Sequence, residues 1–434
     1  MPKRKKVALD DSKHAMLKID DNSNIYKSLI ENVNVDEITY FNGMSHDTQM
    51  KIIDDLSLLK MMSEINTPYR IQLLNKPVSF KFKIVALKKI NVFEKMDPCD
   101  GEYHKLKKWI EAFLSLPEIS KRLPVCITDG PHQCQEYMEQ CKNILNESVY
   151  GLNDAKMQIM QFVGQLISNP SSIGNAIGLK GPMGTGKTTL IKNGLSKMLG
   201  RDFAFITLGG ASDGSFLVGH SYTYEGSHYG KISDILIQCK SDNPIIFFDE
   251  LDKVSDSYGG NEIIGILTHL IDSTQNNEFH DKYFSEIDIN VSKCLFVFSF
   301  NDESRVNSIL KDRMYVIETN GYNNKDKIEI CKNFILPSVS KEMNINVDDI
   351  IFSDSIIQYI ITYTKHEKGV RNLKRNIETI FSKINLFRLM KPNTCLFDNK
   401  IITISFPLVM TTEMIYNLLP KNETEQMSCL HMYL

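Results

Sequence analysis

The sequence lacks any long hydrophobic run. Its longest apolar segments, such as residues 245–248, are only a few residues long, whereas a membrane-spanning helix needs about 20. The amino terminus, from Met1 to Lys6, is basic and has no apolar stretch behind it, so it does not resemble a secretory signal. We therefore expect an intracellular, cytoplasmic protein that has no membrane partner.

A net charge of one sign is also lacking. Fifty Lys and Arg residues stand against 53 Asp and Glu, so the formal charge is only −3 over 434 residues. No general positive field would attract nucleic acid, and this argues against a motor that acts on DNA. The composition is otherwise typical of a globular protein and excludes collagen-like, coiled-coil and wholly disordered chains.

Cysteine pairing is not expected either. The nine cysteines are scattered and odd in number, which predicts free thiols in a reducing compartment. Cys126, His132, Cys134 and Cys141 lie close together in the chain, but their spacing matches no zinc finger or zinc ribbon. We therefore do not expect a zinc site.

The first 44 residues are polar and charged with few apolar anchors, which predicts a flexible arm over 1–44. Its start, from Pro2 to Val7, resembles a short nuclear import signal. A solvated basic chain end explains the same residues equally well. Nuclear import therefore stays open beside the cytoplasmic expectation.

Residues 45–149 are predicted to be mainly helical. Apolar residues recur at helical spacing over 45–64 and again over 102–116. The only tryptophan, Trp109, belongs to the second helix, where packing is its ordinary role. Between these helices, the apolar and basic stretch at 80–93 is compatible with a hairpin or with an insertion.

From residue 150 to residue 321, short β-rich runs alternate with helical ones, and this alternation predicts an α/β core built on a parallel sheet. Helical periodicity then dominates over 322–420, which predicts a helical lid domain, and residues 421–434 form a tail. The predicted strands of the core lie at 176–179, 203–208, 245–248, 295–298 and 314–317.

A phosphate-binding motif follows the first predicted strand and opens a predicted helix. Glycines in such a loop let backbone N–H groups turn inward around a phosphate, and the helix amino terminus favours the negative charge. Lys187 would contact the β- and γ-phosphates, and Thr188 would hold Mg²⁺. The nucleotide-binding residues expected from the motif are Gly181, Pro182, Met183, Gly184, Thr185, Gly186, Lys187, Thr188 and Thr189.

Two further strands end in polar residues. The apolar run 245–248 ends at Asp249 and Glu250, which are expected at the sheet edge beside the phosphate loop. Asp249 would support Mg²⁺, and Glu250 would act as general base on the attacking water. Asn301 follows the strand at 295–298 and could orient that water, although a lone Asn after a strand is usually a turn residue.

Taken together, these residues resemble an AAA+ ATPase, and more narrowly the ATPase module of the Lon protease family. The resemblance extends over about residues 45–420 and is strongest over 150–390. Such a module has a five-stranded parallel sheet, a helical lid and a preceding helical region. The Lon-like segments include YTYEG at 222–226, FDELDK at 248–253, LKDRM at 310–314 and GVRNL at 369–373.

The resemblance implies roles for several residues. Asn301 corresponds to the sensor on the strand next to the acidic pair. Arg313 corresponds to the arginine finger that reaches the nucleotide of a neighbouring subunit, and Arg371 to the second sensor on the lid. A finger that acts on a neighbour implies a ring, usually a homohexamer in this family. Without the motif context, either arginine would be interpreted as half of a surface salt bridge.

The resemblance also implies a loop that grips unfolded protein in the pore of the ring. Tyr224 corresponds to the gripping aromatic, and Tyr258 is a second candidate or a plain loop tyrosine. The sequence departs from the family at Glu225, where an apolar residue is usual, and at Ser221 and Tyr222, where a basic pair is usual.

No segment resembles the Ser–Lys protease domain of the family, so the expected activity is that of an ATPase that unfolds or remodels proteins without cleaving them. Two alternatives remain. The chain could be the motor subunit of a two-chain protease with a separate peptidase. It could also be a non-catalytic nucleotide-binding scaffold, although all the hydrolysis residues are present.

Overall fold

The structure is a computed structural model, which describes residues 22–30, 34–63, 67–169, 176–224, 226–254, 258–364, 367–390 and 406–419. The chain divides into two compact units. One comprises the residues up to 77 together with 86–98, and the other comprises 78–85 together with the residues from 99 onward. None of the described helices is long and apolar enough to cross a membrane.

The first unit is helical. Its small core joins Tyr26, Phe41 and Ile53, and the rings of Tyr26 and Phe41 stack with their centroids 4.1 Å apart. Asn34 caps the second helix by accepting a hydrogen bond from the backbone of Asp36. Its helices are α1 (22–29), α2 (Val35–Asn42), α3 (His46–Ser63) and α4 (Tyr69–Asn75).

Two expectations for this part of the chain are revised. A flexible arm was predicted over 1–44, but the described part of this range is helical. Helices α1 and α2 pack together through the two stacked aromatic rings. The stretch left open as a hairpin or an insertion is a helix, α5 (Phe80–Phe93). Its apolar residues are too closely mixed with lysines to show a clear period. The helix predicted at 45–64 is confirmed as α3.

The second unit contains a five-stranded parallel sheet with strand order β2-β3-β6-β1-β7, so the predicted α/β fold with a parallel sheet is confirmed. The described strands of this unit, including two pairs of two-residue strands, are β1 (Ala176–Lys180), β2 (Phe203–Thr207), β3 (Ile245–Asp249), β4 (Phe279–His280), β5 (Asp288–Ile289), β6 (Leu295–Phe300), β7 (Met314–Glu318), β8 (Ile350–Ile351) and β9 (Leu408–Val409).

Helices pack against this sheet. The predicted helix at 102–116 is confirmed as α6, and a π-helical segment, Leu190–Leu195, joins α9 to α10. Leu179, Phe247 and Val297 are fully buried between the sheet and these helices. The helices are α6 (Gly101–Ser115), α7 (Pro131–Ser148), α8 (Asn153–Ser168), α9 (Lys187–Thr189), α10 (Ser196–Leu199), α11 (Ser215–Val218), α12 (Lys231–Cys239), α13 (Tyr258–Ile271) and α14 (Ser308–Lys311).

The remaining helices of this unit build the lid around a core of apolar residues that includes Ile357, Leu373 and Ile377. Strands β8 and β9 pair in parallel at its edge, and two-residue strands of this kind are too short to show a period in the sequence. A second π-helical segment, Cys331–Ile335, joins the first two lid helices. The helices are α15 (Asn324–Ile330), α16 (Leu336–Glu342), α17 (Asp354–Tyr363), α18 (Arg371–Leu389) and α19 (Thr412–Leu418).

Strand order decides where the site forms. Strand β6 lies between β1 and β3, although it follows both in the chain. All three strands are parallel, so their carboxyl ends meet at one edge of the sheet. The residues that follow them are the phosphate loop, the Asp249–Glu250 pair and Asn301. Ligands of open parallel sheets bind at this kind of edge.

Candidate nucleotide site

The phosphate loop runs from the end of β1 to the start of α9, in the strand–loop–helix context that the motif requires. Two of its glycines have no room for a side chain. A Cβ on Gly181 would lie 2.0 Å from the hydroxyl of Thr319, and a Cβ on Gly184 would lie 2.9 Å from the backbone nitrogen of Arg371. Both also have positive φ angles, of 156° and 75°. The loop is therefore closely packed on the sheet and on the lid.

Lys187 is buried at the base of this loop. Its ammonium donates hydrogen bonds to the carbonyl oxygens of Gly181 and Pro182, at 2.5 and 3.1 Å, and to Oδ1 of Asn301, at 2.9 Å. Burial lowers the pKa of Lys187, while the charges of Asp249 and Asp252 act in the opposite direction. All three acceptors are neutral oxygen atoms, so these hydrogen bonds leave the positive charge of the Lys187 ammonium without a direct ion pair. This arrangement fits a polyphosphate.

Asn301 thus lies where the sequence predicted, at the end of the strand next to the acidic pair. Its side-chain oxygen is tied to Lys187, which links β6 directly to the phosphate loop. Such a link orients the amide of Asn301, since the oxygen side is committed to the ammonium and the NH₂ side points elsewhere.

Asp249 is half-buried at the end of β3, and its carboxylate accepts a hydrogen bond from the hydroxyl of Ser299 on β6. Thr188, the other proposed Mg²⁺ ligand, is half-buried at the start of α9. A hydroxyl and a carboxylate are hard oxygen donors of the kind that Mg²⁺ accepts beside a phosphate. The donor set therefore fits this ion.

Glu250 has a left-handed backbone conformation, with φ of 60°, which an acidic residue adopts rarely. Its half-buried carboxylate lies against the backbone of Gly209, where a Cβ would come within 2.1 Å of Oε2. The turn directs the side chain away from β3 and towards the segment that follows β2. A strained backbone at such a residue is a frequent property of functional sites.

The lid covers one side of the phosphate loop. The backbone N–H of Val370 donates to the carbonyl of Gly184, at 3.1 Å. Arg371 begins α18 and is exposed at the wall of a cavity of about 850 Å³. Loop residues Gly184, Thr185, Gly186 and Thr189 line the same cavity. Its size and its mixed lining suit a nucleoside.

The structure does not bring Arg313 to this site. Arg313 directly precedes β7, whereas the phosphate loop follows β1, and the two strands are parallel neighbours in register. The length of one five-residue strand, about 16 Å, therefore lies between them. The guanidinium is exposed and pairs with Asp272, at 3.1 Å. Its position is compatible with a role outside its own subunit.

The two predicted pore tyrosines are both strongly exposed. Tyr224 is 68% exposed and Tyr258 is 90% exposed. Tyr224 lies in a loop over 220–229, here named the Tyr224 loop, in which Glu225 falls outside the described residues. Neither tyrosine is close-packed, so both side chains are available to a partner.

Several residues of the site were missed in the sequence. The hydroxyl of Tyr322 donates to the carbonyl of Thr185, at 2.8 Å, and Thr319 bonds to the end of β1. Glu367 caps α18 by accepting from the backbone of Asn372 and Leu373. These residues hold the loop and the lid through backbone atoms, which leave no spacing pattern.

The comparisons with known proteins agree with this geometry. Residues 177–322 match the family described as "ATPase family associated with various cellular activities (AAA)". These residues form an AAA-type ATPase domain. Residues 341–394 match the "Lon protease AAA+ ATPase lid domain". The chain therefore carries an AAA+ ATPase module of the Lon protease family, and the predicted resemblance is confirmed.

Three curated relatives are likewise named Lon protease or Lon protease homolog. A Lon protease homolog of Acanthamoeba polyphaga mimivirus is 39% identical over 263 residues, which cover 60% of this chain and 26% of that protein. The Lon protease of Halothermothrix orenii is 34% identical over 305 residues, 68% of this chain and 39% of that protein. The Lon protease of Clostridium acetobutylicum is 38% identical over 248 residues, which cover 57% of this chain and 32% of that protein. The chain thus spans well under half the length of these curated relatives.

Proposed function

We propose that this protein is an ATP-hydrolysing motor that unfolds or remodels proteins by threading them through the pore of a ring. The observation that carries the proposal is the buried Lys187 ammonium, which joins the phosphate loop to Asn301 beside the acidic pair Asp249 and Glu250. Binding, orienting and base residues thereby share one edge of the sheet.

The proposed roles follow from the chemistry of each group. Lys187 and the backbone N–H groups of the phosphate loop would bind the β- and γ-phosphates of ATP. Thr188 and Asp249 are the proposed oxygen ligands of Mg²⁺, which supplies electrostatic stabilisation of the phosphate charge when bound. The hydroxyl of Ser299 would hold Asp249 in the orientation for this task.

Glu250 is the proposed general base. It would accept a proton from the water that attacks the γ-phosphate, while Asn301 would orient that water. Arg371 on the lid would sense the bound nucleotide from the wall of the 850 Å³ cavity.

The ring is supported by Arg313. This arginine would stabilise the charge that develops on the γ-phosphate of a neighbouring subunit, since it lies about one strand length away from its own phosphate loop. We propose a homohexamer, the assembly that the Lon resemblance implies. Tyr224 and Tyr258 are the proposed contacts to unfolded protein in the pore, because both rings are exposed.

Peptide-bond cleavage is not part of the activity proposed for residues 177–394. The alternative of a motor subunit with a separate peptidase remains, and it differs only in the fate of the unfolded protein. Under either alternative, incubation of the pure protein with casein and ATP should give no cleavage, so this experiment tests for peptidase activity in the chain itself. Cleavage without any added peptidase would contradict the proposal as stated.

ATP turnover tests the motor itself. We expect the wild type to hydrolyse ATP and to do so faster in the presence of an unfolded protein. Lys187→Ala should lower nucleotide affinity roughly ten- to a hundredfold, because it removes a charge-assisted contact to phosphate. Lys192→Ala, which changes an exposed lysine of the π-helical segment that follows the loop, is the matched control. No turnover by the wild type in any oligomeric state would leave only the scaffold alternative.

A further inference from the structure

The Tyr224 loop is closed at its base by two glycines. A Cβ on Gly219 would lie 2.7 Å from the backbone nitrogen of Gly230, and a Cβ on Gly230 would lie 2.0 Å from the carbonyl oxygen of Leu217. One rung inside, the backbone N–H of His220 donates to the carbonyl of His228, at 3.1 Å. The loop therefore has an exposed tip and a tightly packed stem.

A buried carboxylate holds this stem from outside the loop. Asp281 is fully buried, and its Oδ2 accepts hydrogen bonds from the backbone N–H of Gly230, at 2.9 Å, and from the hydroxyl of Ser233. Its Oδ1 accepts from the backbone N–H of Tyr283, also at 2.9 Å. One side chain thus ties the end of the loop, the start of α12 and the segment 281–284 together.

The segment 281–284 continues into a chain of aromatic contacts. Tyr283 meets the edges of Tyr222 and Tyr229, both of the Tyr224 loop, with ring centroids 5.8 and 5.9 Å apart. Phe284 stacks on Tyr229 at 6.1 Å and meets the edge of Trp109 at 5.9 Å. Aromatic pairs at these separations attract each other beyond simple burial.

Trp109 belongs to α6, one of the helices in the region before the ATPase core. Its side chain is buried and packs on Phe113 of the same helix, at 5.5 Å. One turn earlier, the ammonium of Lys105 lies over the ring of Tyr222, 5.7 Å from its centroid. Helix α6 therefore reaches the Tyr224 loop by two routes, through Phe284 and directly through Lys105.

We propose that the segment 281–284 couples the Tyr224 loop to helix α6, and that Asp281 is the positioning residue that fixes the loop stem to this segment. This inference rests on the proposed function, in which the Tyr224 loop moves together with the protein substrate. If the loop and α6 are coupled, such a movement would also displace α6. The helical region ahead of the ATPase core would then respond when the loop engages a protein.

Amide hydrogen exchange of the full chain tests the coupling without any substrate. Asp281→Asn keeps the shape of the side chain but replaces one acceptor by an NH₂ group, which faces an N–H donor in either orientation. We expect exchange at the Gly230 amide and within 220–229 to become about tenfold faster. Exchange within α6 should rise as well. Asp288→Asn, the same change in the neighbouring β5, affects a carboxylate that pairs with His280 and should leave both regions unaltered.

The lid helix α18 serves as an internal reference. Faster exchange in α18 to the same extent would indicate general destabilisation and would overturn the proposal. Faster exchange in the loop without any change in α6 would overturn it too. Tyr229→Leu provides a second variant, because it breaks the aromatic contacts to Tyr283 and Phe284 and leaves all three hydrogen bonds of Asp281. It should speed exchange in α6 without affecting α18.

The single tryptophan offers an optical readout. We expect the emission of Trp109 to change when labelled casein binds the wild type in the presence of ATP. Tyr229→Leu should bind casein within about threefold of the wild-type affinity but show a smaller emission change, because the ring contacts of Tyr229 are lost while those of Tyr222 with Tyr283 and Lys105 remain. Binding of casein by the wild type with unaltered emission would contradict the coupling. Failure of casein to bind would contradict the proposed function, and the exchange experiment would still decide the coupling.

Discussion

The phosphate loop and the Tyr224 loop are both framed by glycines, but their side chains find their partners in different places. In the phosphate loop, Lys187 bonds to the loop itself and to Asn301, and Val370 of the lid bonds to Gly184. In the Tyr224 loop, Asp281 holds the stem, and the tip tyrosine is 68% exposed. The first loop is preorganised for a small ligand, whereas the second needs a partner to occupy its tip.

Arg313 resembles the tip of the Tyr224 loop in being exposed. It is a cation at the sheet, like Lys187, but its guanidinium is exposed and donates to one carboxylate and one carbonyl. Lys187, proposed to act within its own subunit, is buried and donates three hydrogen bonds, whereas Arg313, proposed to act on a neighbour, is exposed and donates two.

The largest effect expected concerns Arg313. Arg313→Ala should lower ATP turnover about a thousandfold, because an arginine finger stabilises charge on the transferred phosphoryl group. Turnover is measured by phosphate release. Arg305→Ala, at an exposed arginine paired with Asp302, is the control.

Mixing two variants tests whether Arg313 acts on a neighbouring subunit while Lys187 acts on its own. Arg313→Ala and Lys187→Ala subunits, each with lowered turnover alone, should together regain part of the activity, because a mixed ring would place the intact site of one variant beside the intact Arg313 of the other. If no activity returned on mixing, Arg313 would have to act within its own subunit.

Glu250→Gln should lower turnover about a hundredfold, since the amide cannot accept the proton of the attacking water. Nucleotide affinity should be retained, because Lys187 and the phosphate loop are unaltered. Fluorescent ATP binding and phosphate release on the same sample measure both. A parallel loss of affinity would assign Glu250 to binding instead. Glu262→Gln is a carboxylate control on α13.

Tyr224→Ala should weaken the apparent affinity for an unfolded protein roughly tenfold, because an exposed aromatic anchor is lost. Basal ATP turnover should change little, since the phosphate loop does not contact this tyrosine. Tyr224→Phe keeps the ring and should retain the affinity. A substrate-stimulated ATPase titration gives both quantities, and equal losses for Ala and Phe would transfer the role to the hydroxyl group.

The smallest effect expected concerns Glu303, whose pKa is lowered to about 2 by its bonds to Lys180 and Lys311. A lowered carboxyl pKa stabilises the fold above the ordinary value of about 4.5 and loses that effect as the pH falls towards 2. Glu303→Gln should therefore lower Tm by about 1–2 °C at pH 7 and progressively less below pH 4.5. A difference that grew in acid would have the wrong sign.

Much of the site could be predicted because its residues follow strands. Gly181 to Thr188, Asp249, Glu250 and Asn301 stand directly after buried apolar runs, and a parallel sheet brings such ends together. Ser299, Thr319 and Tyr322 could not be predicted, because they act through hydrogen bonds between segments that are far apart in the chain. The helical structure of α5 could not be predicted either, since lysines interrupt the spacing of its apolar residues.

Local sequence patterns were enough to predict which strands are buried, which loop would bind a phosphate, and which acids follow a neighbouring strand. Local composition and periodicity suffice for these, since each depends on neighbours in the chain. Long-range contacts, in contrast, place β6 between β1 and β3, Arg313 about a strand length from its own phosphate loop, and Asp281 against the stem of the Tyr224 loop. Those facts depend on contacts between residues far apart in the chain, whose partners are chosen by packing and burial rather than by spacing.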